Sequence, residues 1–124
     1  PKAELHESPR CLVRGDGFAA EMEIGPSGDF VVTAGSRARV RTTRTIPRGA
    51  VTLRNTLVEK GVLREEGDFL VFTSAYSFTS ASAAAAAVIG ASANGRILWK
   101  LPDGRNYGDW EANQDAAGDA SGQF

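Results

Sequence analysis

Residues 18–33 read FAAEMEIGPSGDFVVT, which is the pattern of a β-hairpin. Residues 18–24 suit a strand, and the GPSG sequence at 25–28 supplies the chemistry of a turn. Residues 30–33 are rich in β-branched side chains and suit the returning strand. The sheet is therefore predicted to be built from antiparallel hairpins.

The residues that follow this hairpin predict a third antiparallel strand. Gly35 permits a second reversal, and residues 37–41 read RARVR, with arginine at every second position. In a simple register, these arginines would share a sheet face with Glu21 and Glu23, one strand removed and roughly 10 Å away.

Two helices are predicted further along the chain. Residues 50–60 have an amphipathic pattern with Arg54 away from the apolar side, and Gly61 suits a left-handed ending. Ser80 is the predicted N-cap of a helix that contains a run of alanines, and Gly90 is its predicted end.

Further short strands are predicted at residues 70–72 and 97–99. The order of these elements predicts an α+β fold, in which a small antiparallel sheet of hairpins is covered by two short helices.

A single domain is expected, because 124 residues with 42% hydrophobic residues supply one core. Residues 1–16 follow neither the helical nor the strand periodicity of apolar residues, and they are predicted to be a linker or a loosely docked arm. Residues 17–111 are the predicted domain, and residues 112–124 are predicted to be a disordered acidic tail. Because the chain begins with Pro1 rather than Met, we expect a processed chain or a piece of a longer protein.

Composition excludes several classes of protein. The 14 Lys and Arg residues are balanced by 15 Asp and Glu residues, so any attraction to phosphate must be local. No apolar run approaches the roughly 20 residues that a membrane-spanning helix needs. Because Cys11 is the single cysteine, a reducing compartment is expected. We expect a cytoplasmic protein with no membrane partner.

No catalytic constellation stands out in the sequence. The glycines form neither a phosphate-binding loop nor a dinucleotide fingerprint, and no paired-carboxylate motif or metal-ligand spacing occurs. His6 lies in the predicted linker, and Cys11 has no sequence sign of a reactive thiol, so both are interpreted as bystanders. Enzymatic activity, a metal and other cofactors are therefore not expected.

A set of short motifs together resembles a known family. The set comprises FVV at 30–32, GSRA at 35–38, Leu57 with GVL at 61–63, LVFT at 70–73, FTS at 78–80, SAAA at 82–85, VIG at 88–90, SANG at 92–95 and WK at 99–100. Through these motifs, residues 30–100 resemble an uncharacterised bacterial domain that usually lies at the C-terminus of GIY-YIG nuclease-family proteins. Ala81 stands where such domains often have proline, a change that the first turn of a helix accommodates.

The later half of the chain also resembles the restriction-enzyme and adenine-methylase-associated (RAMA) domain, a proposed reader of modified DNA bases. The nuclease motifs of GIY-YIG enzymes are absent from these residues. The two resemblances therefore imply an appendage of DNA-processing enzymes rather than the enzyme itself.

The densest positive charge lies in a stretch without Asp or Glu. It contains Arg37, Arg39, Arg41, Arg44, Arg48 and Arg54. Arginines in such a set can hold phosphates, and they can equally form a solvated face that is balanced by Glu21 and Glu23. If DNA binds, it is expected to bind through these arginines.

A second candidate set combines hydroxyl, amide, guanidinium and aromatic groups. It consists of Ser92, Asn94, Gly95, Arg96 and Trp99. Asn can hydrogen-bond a base edge, and a guanidinium or an aromatic ring can stack on a base. Alternatively, Asn94 and Gly95 form a tight turn, and Trp99 belongs to the core, which is its favoured position. Core positions are also favoured for Tyr76 and Phe78.

Two functions remain open at this point. The leading hypothesis is a non-catalytic accessory domain that binds nucleic acid, including modified DNA, for a DNA-processing enzyme. The alternative is a protein-interaction or homodimerisation module, which the small-residue helix, the near-zero net charge and the acidic tail favour. A salt titration separates them, because phosphate contacts weaken steeply as salt rises and apolar interfaces do not.

Overall fold

The computed structural model describes residues 9–122, with side chains placed through Gln114. Seven strands form one antiparallel sheet, and four helices are found in the described residues. The strands are β1 (Arg10–Gly15), β2 (Phe18–Ile24), β3 (Phe30–Val32), β4 (Arg37–Arg39), β5 (Leu63–Glu66), β6 (Phe69–Phe72) and β7 (Tyr76–Phe78). The helices are α1 (Arg48–Glu59), α2 (Ala81–Ile89), α3 (Gly95–Leu98) and α4 (Tyr107–Gly122). This architecture confirms the predicted α+β class.

The predicted hairpin lies at the centre of the sheet. β2 and β3 pair antiparallel with Met22 opposite Val32, and Gly28 in the turn adopts a φ of 84° that favours glycine. Met22 and Val32 are both fully buried. The strands follow the order β5-β6-β4-β2-β3-β7, and β1 pairs with β2 outside that path.

The prediction of a linker over residues 1–16 is wrong for the segment that forms β1. This strand pairs with β2 from Arg10 opposite Glu23 to Gly15 opposite Phe18. Cys11 and Val13 are buried, whereas Leu12 is exposed. The strand was missed because Leu12 is apolar although it is exposed, so the apolar run at residues 11–13 hides the alternation of buried and exposed positions. Residues 1–8 lie outside the described part of the chain.

β4 is the predicted third strand, but its neighbours differ from those expected. It pairs with β2 through Ala19 opposite Arg37 and with β6 through Ala38 opposite Leu70, rather than with β3. The strand also ends at Arg39, so Arg41 lies in the loop that follows. The sequence could not give this arrangement, because β6 comes much later in the chain than β4.

α1 ends as the sequence predicts. Gly61 has a φ of 78°, its N–H donates to the carbonyl of Val58, and the Val62 N–H donates to the carbonyl of Leu57 at 2.9 Å. These are the two hydrogen bonds of a Schellman motif. The prediction that Arg54 points away from the core is wrong, since Arg54 is only 5% exposed.

α2 is the central helix of the core. The Ser80 hydroxyl accepts a hydrogen bond from the Ala83 N–H at 3.0 Å, and Gly90 ends the helix with a φ of 75°. Both predicted boundaries are therefore confirmed. The helix contacts β2, β3, β4 and β7. Ala84, Ala85 and Ala87 are fully buried, because methyl side chains let the helix approach the sheet closely.

The predicted strand at residues 97–99 is instead the short helix α3 and its end. The Asn94 side chain accepts from the Arg96 N–H at 3.1 Å and so caps the helix. Gly95 lies against α2, where an added Cβ would come within 2.2 Å of the Ala81 backbone. Only Lys100 remains sheet-like, through isolated bridges to Leu12 and Asn106. The cap and the close approach favour a helical turn over a strand.

The prediction of a disordered tail over residues 112–124 also differs from the structure, in which α4 continues to Gly122. Residues 123 and 124 lie outside the described part of the chain. The Asn106 side chain accepts from the Asp109 N–H at 2.8 Å and starts the helix. Trp110 packs against the core. Residues 111–122 contain alanine, the best helix former, at four positions and no proline, which is compatible with a helix.

Removing residues 113–124 is expected to change the melting temperature by less than about 4 °C, which corresponds to less than roughly 1 kcal/mol in a domain of this size. Asn113 and Gln114 are exposed, and the packed residues of α4 remain in the shortened chain. Thermal unfolding followed by circular dichroism measures the effect. The control is a chain shortened further, so that Trp110 is also missing. It should melt at a lower temperature, because Trp110 packs against the core. A larger drop for the first truncation would show that the end of α4 docks.

Within residues 9–122, the structure contains no helix with the length and apolar character that crossing a membrane requires.

Candidate nucleic-acid interface

The basic segment, defined here as residues 37–48, spans β4, the following loop and the start of α1. Arg37 and Arg39 belong to β4, Arg41 and Arg44 lie in the loop, and Arg48 is the first residue of α1. All of them except the half-buried Arg39 are exposed. Within the described residues, none of the five arginines forms an ion pair with a carboxylate. No described carboxylate therefore lies within ion-pair distance of these guanidinium groups, although Asp16, Glu65 and Asp68 line the same pocket as Arg39 and Arg41.

Aromatic rings hold two of these guanidinium groups in place. The Arg37 guanidinium lies 4.9 Å from the centre of the Phe69 ring, and that of Arg39 lies 5.0 Å from the centre of the Phe18 ring. Arg39 also donates from Nε to the carbonyl of Asp16 at 3.0 Å. Cation–π contacts orient an arginine without neutralising its charge, so both side chains keep their attraction for phosphate.

The two glutamates that could have balanced the arginines are engaged elsewhere. Arg10 Nη1 lies 3.1 Å from Glu21 Oε2, and Arg10 Nη2 lies 3.2 Å from Glu23 Oε2. Glu21 also accepts from the Thr33 hydroxyl at 3.3 Å. Because β1 places Arg10 opposite Glu23, these carboxylates pair across the β1–β2 ladder rather than toward β4.

Arg54 belongs to the same acid-free stretch but has a structural role. Its Nη1 donates to the carbonyl of Ala87 at 2.5 Å, and its Nη2 donates to the carbonyl of Arg39 at 2.6 Å. Nη2 also lies 3.2 Å from the Val40 carbonyl oxygen. Burial lowers the pKa of Arg54. Arg54 therefore links α1 to the end of α2 and to the end of β4, and its guanidinium is not exposed to a ligand.

The loop after β4 is held against the end of α2. The Thr43 N–H donates to the carbonyl of Gly90 at 2.9 Å, and the Ser92 N–H donates to the Thr45 hydroxyl at 3.4 Å. An added Cβ at Gly90 would lie 2.6 Å from the Arg41 carbonyl oxygen, which requires glycine there. These contacts bring the exposed Ser92 beside the basic segment. The two candidate sets of the sequence therefore meet at Ser92.

Asn94 and Arg96 take structural roles. Asn94 uses its carbonyl oxygen to cap α3, and Arg96 forms an ion pair with Glu111 of α4. Arg96 Nη2 also lies 3.4 Å from the carbonyl of Gly108. Arg96 is therefore partly neutralised, unlike the arginines of the basic segment.

The aromatic candidates belong to the core. Trp99 is fully buried, and its indole Nε1 donates to the carbonyl of Ala81 at 3.0 Å. Phe78 is buried, and Tyr76 packs edge to face against it with ring centres 5.0 Å apart. The favoured core positions are confirmed.

Of the two residues interpreted as bystanders, the structure describes only Cys11. Cys11 is buried, and burial raises the pKa of its thiol to about 11, which disfavours a reactive thiolate. His6 lies outside the described residues. In the part of the chain that the structure describes, no three His, Cys, Asp or Glu side chains come together as a metal site would need.

Sequence reasoning missed two arginines that β-pairing brings into line with Arg37. Arg14 lies opposite Ala19, Ala19 lies opposite Arg37, and Arg37 lies opposite Val71. Val71 in turn lies opposite Arg64. Residues directly opposite one another on neighbouring strands point to the same face of a sheet. The spacing of Arg10, Leu12 and Arg14 at every second position suits one face of a strand, but the row itself depends on pairing between distant strands.

The described chain is thus a small α+β domain whose antiparallel sheet carries helices on one face and a basic segment at the end of β4. It belongs to the family described as Domain of unknown function (DUF4357), which matches residues 11–111. The match agrees with the uncharacterised domain that the short motifs implied, and it carries no statement about GIY-YIG nucleases or the RAMA domain. No curated protein and no solved structure matches the chain.

Proposed function

We propose that this domain binds nucleic acid through the basic segment, with Ser92 at its margin. The observation that carries the proposal is the set of unpaired arginines. Residues 30–58 contain no Asp or Glu, and Arg37, Arg41, Arg44 and Arg48 are exposed without an ion pair in the described structure. A nearly neutral protein with one locally basic surface can attract phosphates there while the rest of its surface stays inert.

The chemistry of such a surface is phosphate binding. Each guanidinium can donate two parallel hydrogen bonds to phosphate oxygens, and each contact releases counterions from the nucleic acid. Phosphate contacts position a ligand and do not read its sequence. The domain is therefore proposed to act as a non-catalytic accessory module in the cytoplasm, and to hold nucleic acid for a DNA-processing enzyme that supplies the chemistry. The resemblance to domains appended to GIY-YIG nucleases and to the RAMA domain supports this role.

Replacing Arg41, Arg44 and Arg48 together with Gln tests the proposal. None of the three side chains makes an ion pair in the described structure, so the fold should survive. Affinity should fall for all sequences alike. The slope of log affinity against log salt should become shallower by roughly 0.9 per lost contact to duplex DNA, or by roughly 0.7 per contact to a single strand. Fluorescence anisotropy at several salt concentrations measures both effects.

The control for this variant replaces Lys60 and Arg105, which are exposed, with Gln. It lowers the net charge without changing the basic segment, and it should bind as the unmodified domain does. Undiminished affinity and salt slope in the triple variant would refute binding through the basic segment.

A protein-interaction or homodimerisation module is the second candidate, and an apolar groove favours it. The groove lies between α1 and α2 and has a volume of about 280 Å³. Its lining includes Pro47, Ala50, Leu53, Ala83 and Ala86. A partner that binds there would be insensitive to salt, in contrast to a nucleic acid. If the domain binds no nucleic acid at low salt, this second function takes the lead.

A further inference from the structure

The two faces of the sheet are very different. Side chains alternate between the two faces along each strand, and those on one face, such as Cys11, Met22 and Ala38, are buried under α2 and its neighbours. Side chains on the other face of the sheet form what we call the open face, on which Leu12 and Arg37 are exposed. Its apolar members are not part of the hydrophobic core.

A row of arginines crosses the open face at right angles to the strands. The register places Arg14, Arg37 and Arg64 in line, with the small side chains of Ala19 and Val71 between them. Neighbouring strands lie about 4.8 Å apart, so successive arginines are roughly 10 Å apart and the row spans roughly 20 Å. Arg14 and Arg37 form no ion pair in the described structure, while Arg64 pairs with Glu66.

Surfaces on which bases could stack lie beside this row. The Arg37 guanidinium lies over the ring of the half-buried Phe69, which is the neighbour of Val71 on the open face. A base would therefore stack on the outer plane of this guanidinium, which the Phe69 ring supports. Guanidinium planes and aromatic rings both stack on unpaired bases. Next to Arg14 there is a shallow hollow of about 260 Å³, whose lining includes Leu12, Ala19, Glu21 and Thr33. The carboxylate and the hydroxyl in this hollow can accept hydrogen bonds from a base.

We infer that the open face binds single-stranded nucleic acid, with the backbone along Arg14, Arg37 and Arg64 and the bases against the Arg37–Phe69 pair and the hollow. This inference rests on the proposed function and names its ligand class. Proteins that read a duplex insert a helix or a two-stranded ribbon into a groove. The open face is a sheet surface with no such projection in the row, whereas an unpaired strand can lay its bases flat on a sheet. The row and the basic segment adjoin, because Arg37 belongs to both and Arg39 follows it on β4.

Fluorescence anisotropy with three ligands of the same sequence tests this inference. The ligands are a 12-nucleotide DNA strand, the corresponding RNA strand and the blunt DNA duplex. We expect at least one single strand to bind about 10-fold or more tightly than the duplex at low salt. The comparison of the DNA strand with the RNA strand shows which sugar is preferred.

Two variants locate the site. Arg14→Gln should weaken binding of the single strand several-fold and make the salt slope shallower by roughly 0.7. Phe69→Leu keeps an apolar side chain but removes the ring that supports the Arg37 guanidinium. It should weaken binding with little change in salt slope, because stacking releases no counterions. Arg105→Gln is the matched control, since Arg105 is an exposed arginine that is paired with Asp103 in a turn. Melting temperatures confirm that each variant is folded.

The outcomes separate this inference from the proposed function. Equal or tighter binding of the duplex overturns the inference, and so does undiminished single-strand binding by Arg14→Gln. In both cases the proposed function stands if the Arg41, Arg44 and Arg48 triple variant still loses affinity. Failure of the unmodified domain to bind any of the three ligands at low salt overturns both.

Discussion

Trp99→Ala is expected to lower the free energy of unfolding by about 3–5 kcal/mol, the range for truncation of a buried aromatic side chain. Trp99 is fully buried, and α2 lies close to it through the hydrogen bond from Nε1 to the Ala81 carbonyl. Alanine would leave a cavity and remove the hydrogen bond that joins Trp99 to the first turn of α2. Urea denaturation monitored by circular dichroism measures the change.

Two further variants separate the causes of this loss. Trp99→Phe keeps most of the apolar volume and removes the indole N–H, so it should cost about 1–3 kcal/mol. Trp110→Ala removes a partly exposed tryptophan and should be milder than Trp99→Ala. If Trp99→Ala kept its stability and lost affinity for nucleic acid, Trp99 would belong to a binding site and its position in the core would be contradicted.

Arg54→Met is expected to destabilise the domain by about 2–4 kcal/mol, because hydrogen bonds from charged groups contribute about 1.5–3 kcal/mol and buried acceptors would lose their donor. Methionine keeps an unbranched side chain of similar length, so packing changes little. The carbonyls of Ala87, Arg39 and Val40 lose the donor that joins them. Denaturation by urea gives the free energy.

Two comparisons test the explanation given for Arg54. Arg48→Gln changes an exposed arginine of the same helix and should alter stability by less than about 0.5 kcal/mol. Arg54→Lys keeps the charge but lacks the planar fork of donors, so it should restore only part of the stability. Equal stability of Arg54→Met and the unmodified domain would show that the three carbonyls need no donor.

Arg54 also connects stability with the proposed binding surface. The carbonyls of Arg39 and Val40 lie where β4 ends and the loop with Arg41 begins. A buried guanidinium therefore fixes the direction in which the basic segment leaves the sheet. Arg54 is buried and structural, whereas most arginines of the basic segment are exposed. Amino-acid composition does not distinguish these two roles, because the distinction depends on burial.

The candidate site was only partly predictable. The sequence indicated the arginines of the basic segment because they cluster without acidic residues. It assigned Arg54 to the solvent side of α1, because the helical pattern places every arginine on the polar side. The carbonyl groups that allow Arg54 to be buried belong to other parts of the chain, so the pattern could not reveal them. It also left open a face on which Glu21 and Glu23 balance the arginines, whereas Arg10 of the unrecognised strand β1 pairs with both carboxylates.

The sequence by itself determined the elements whose signals are local. The β2–β3 hairpin, the capped helix α2 and the glycine ending of α1 all depend on residues within a few positions of one another. Tertiary structure alone decided the rest. The row of Arg14, Arg37 and Arg64 exists because β4 inserts between β2 and β6. Such pairing follows from burying one face of the whole sheet under α2, and the free energy of that burial depends on contacts between residues far apart in the chain.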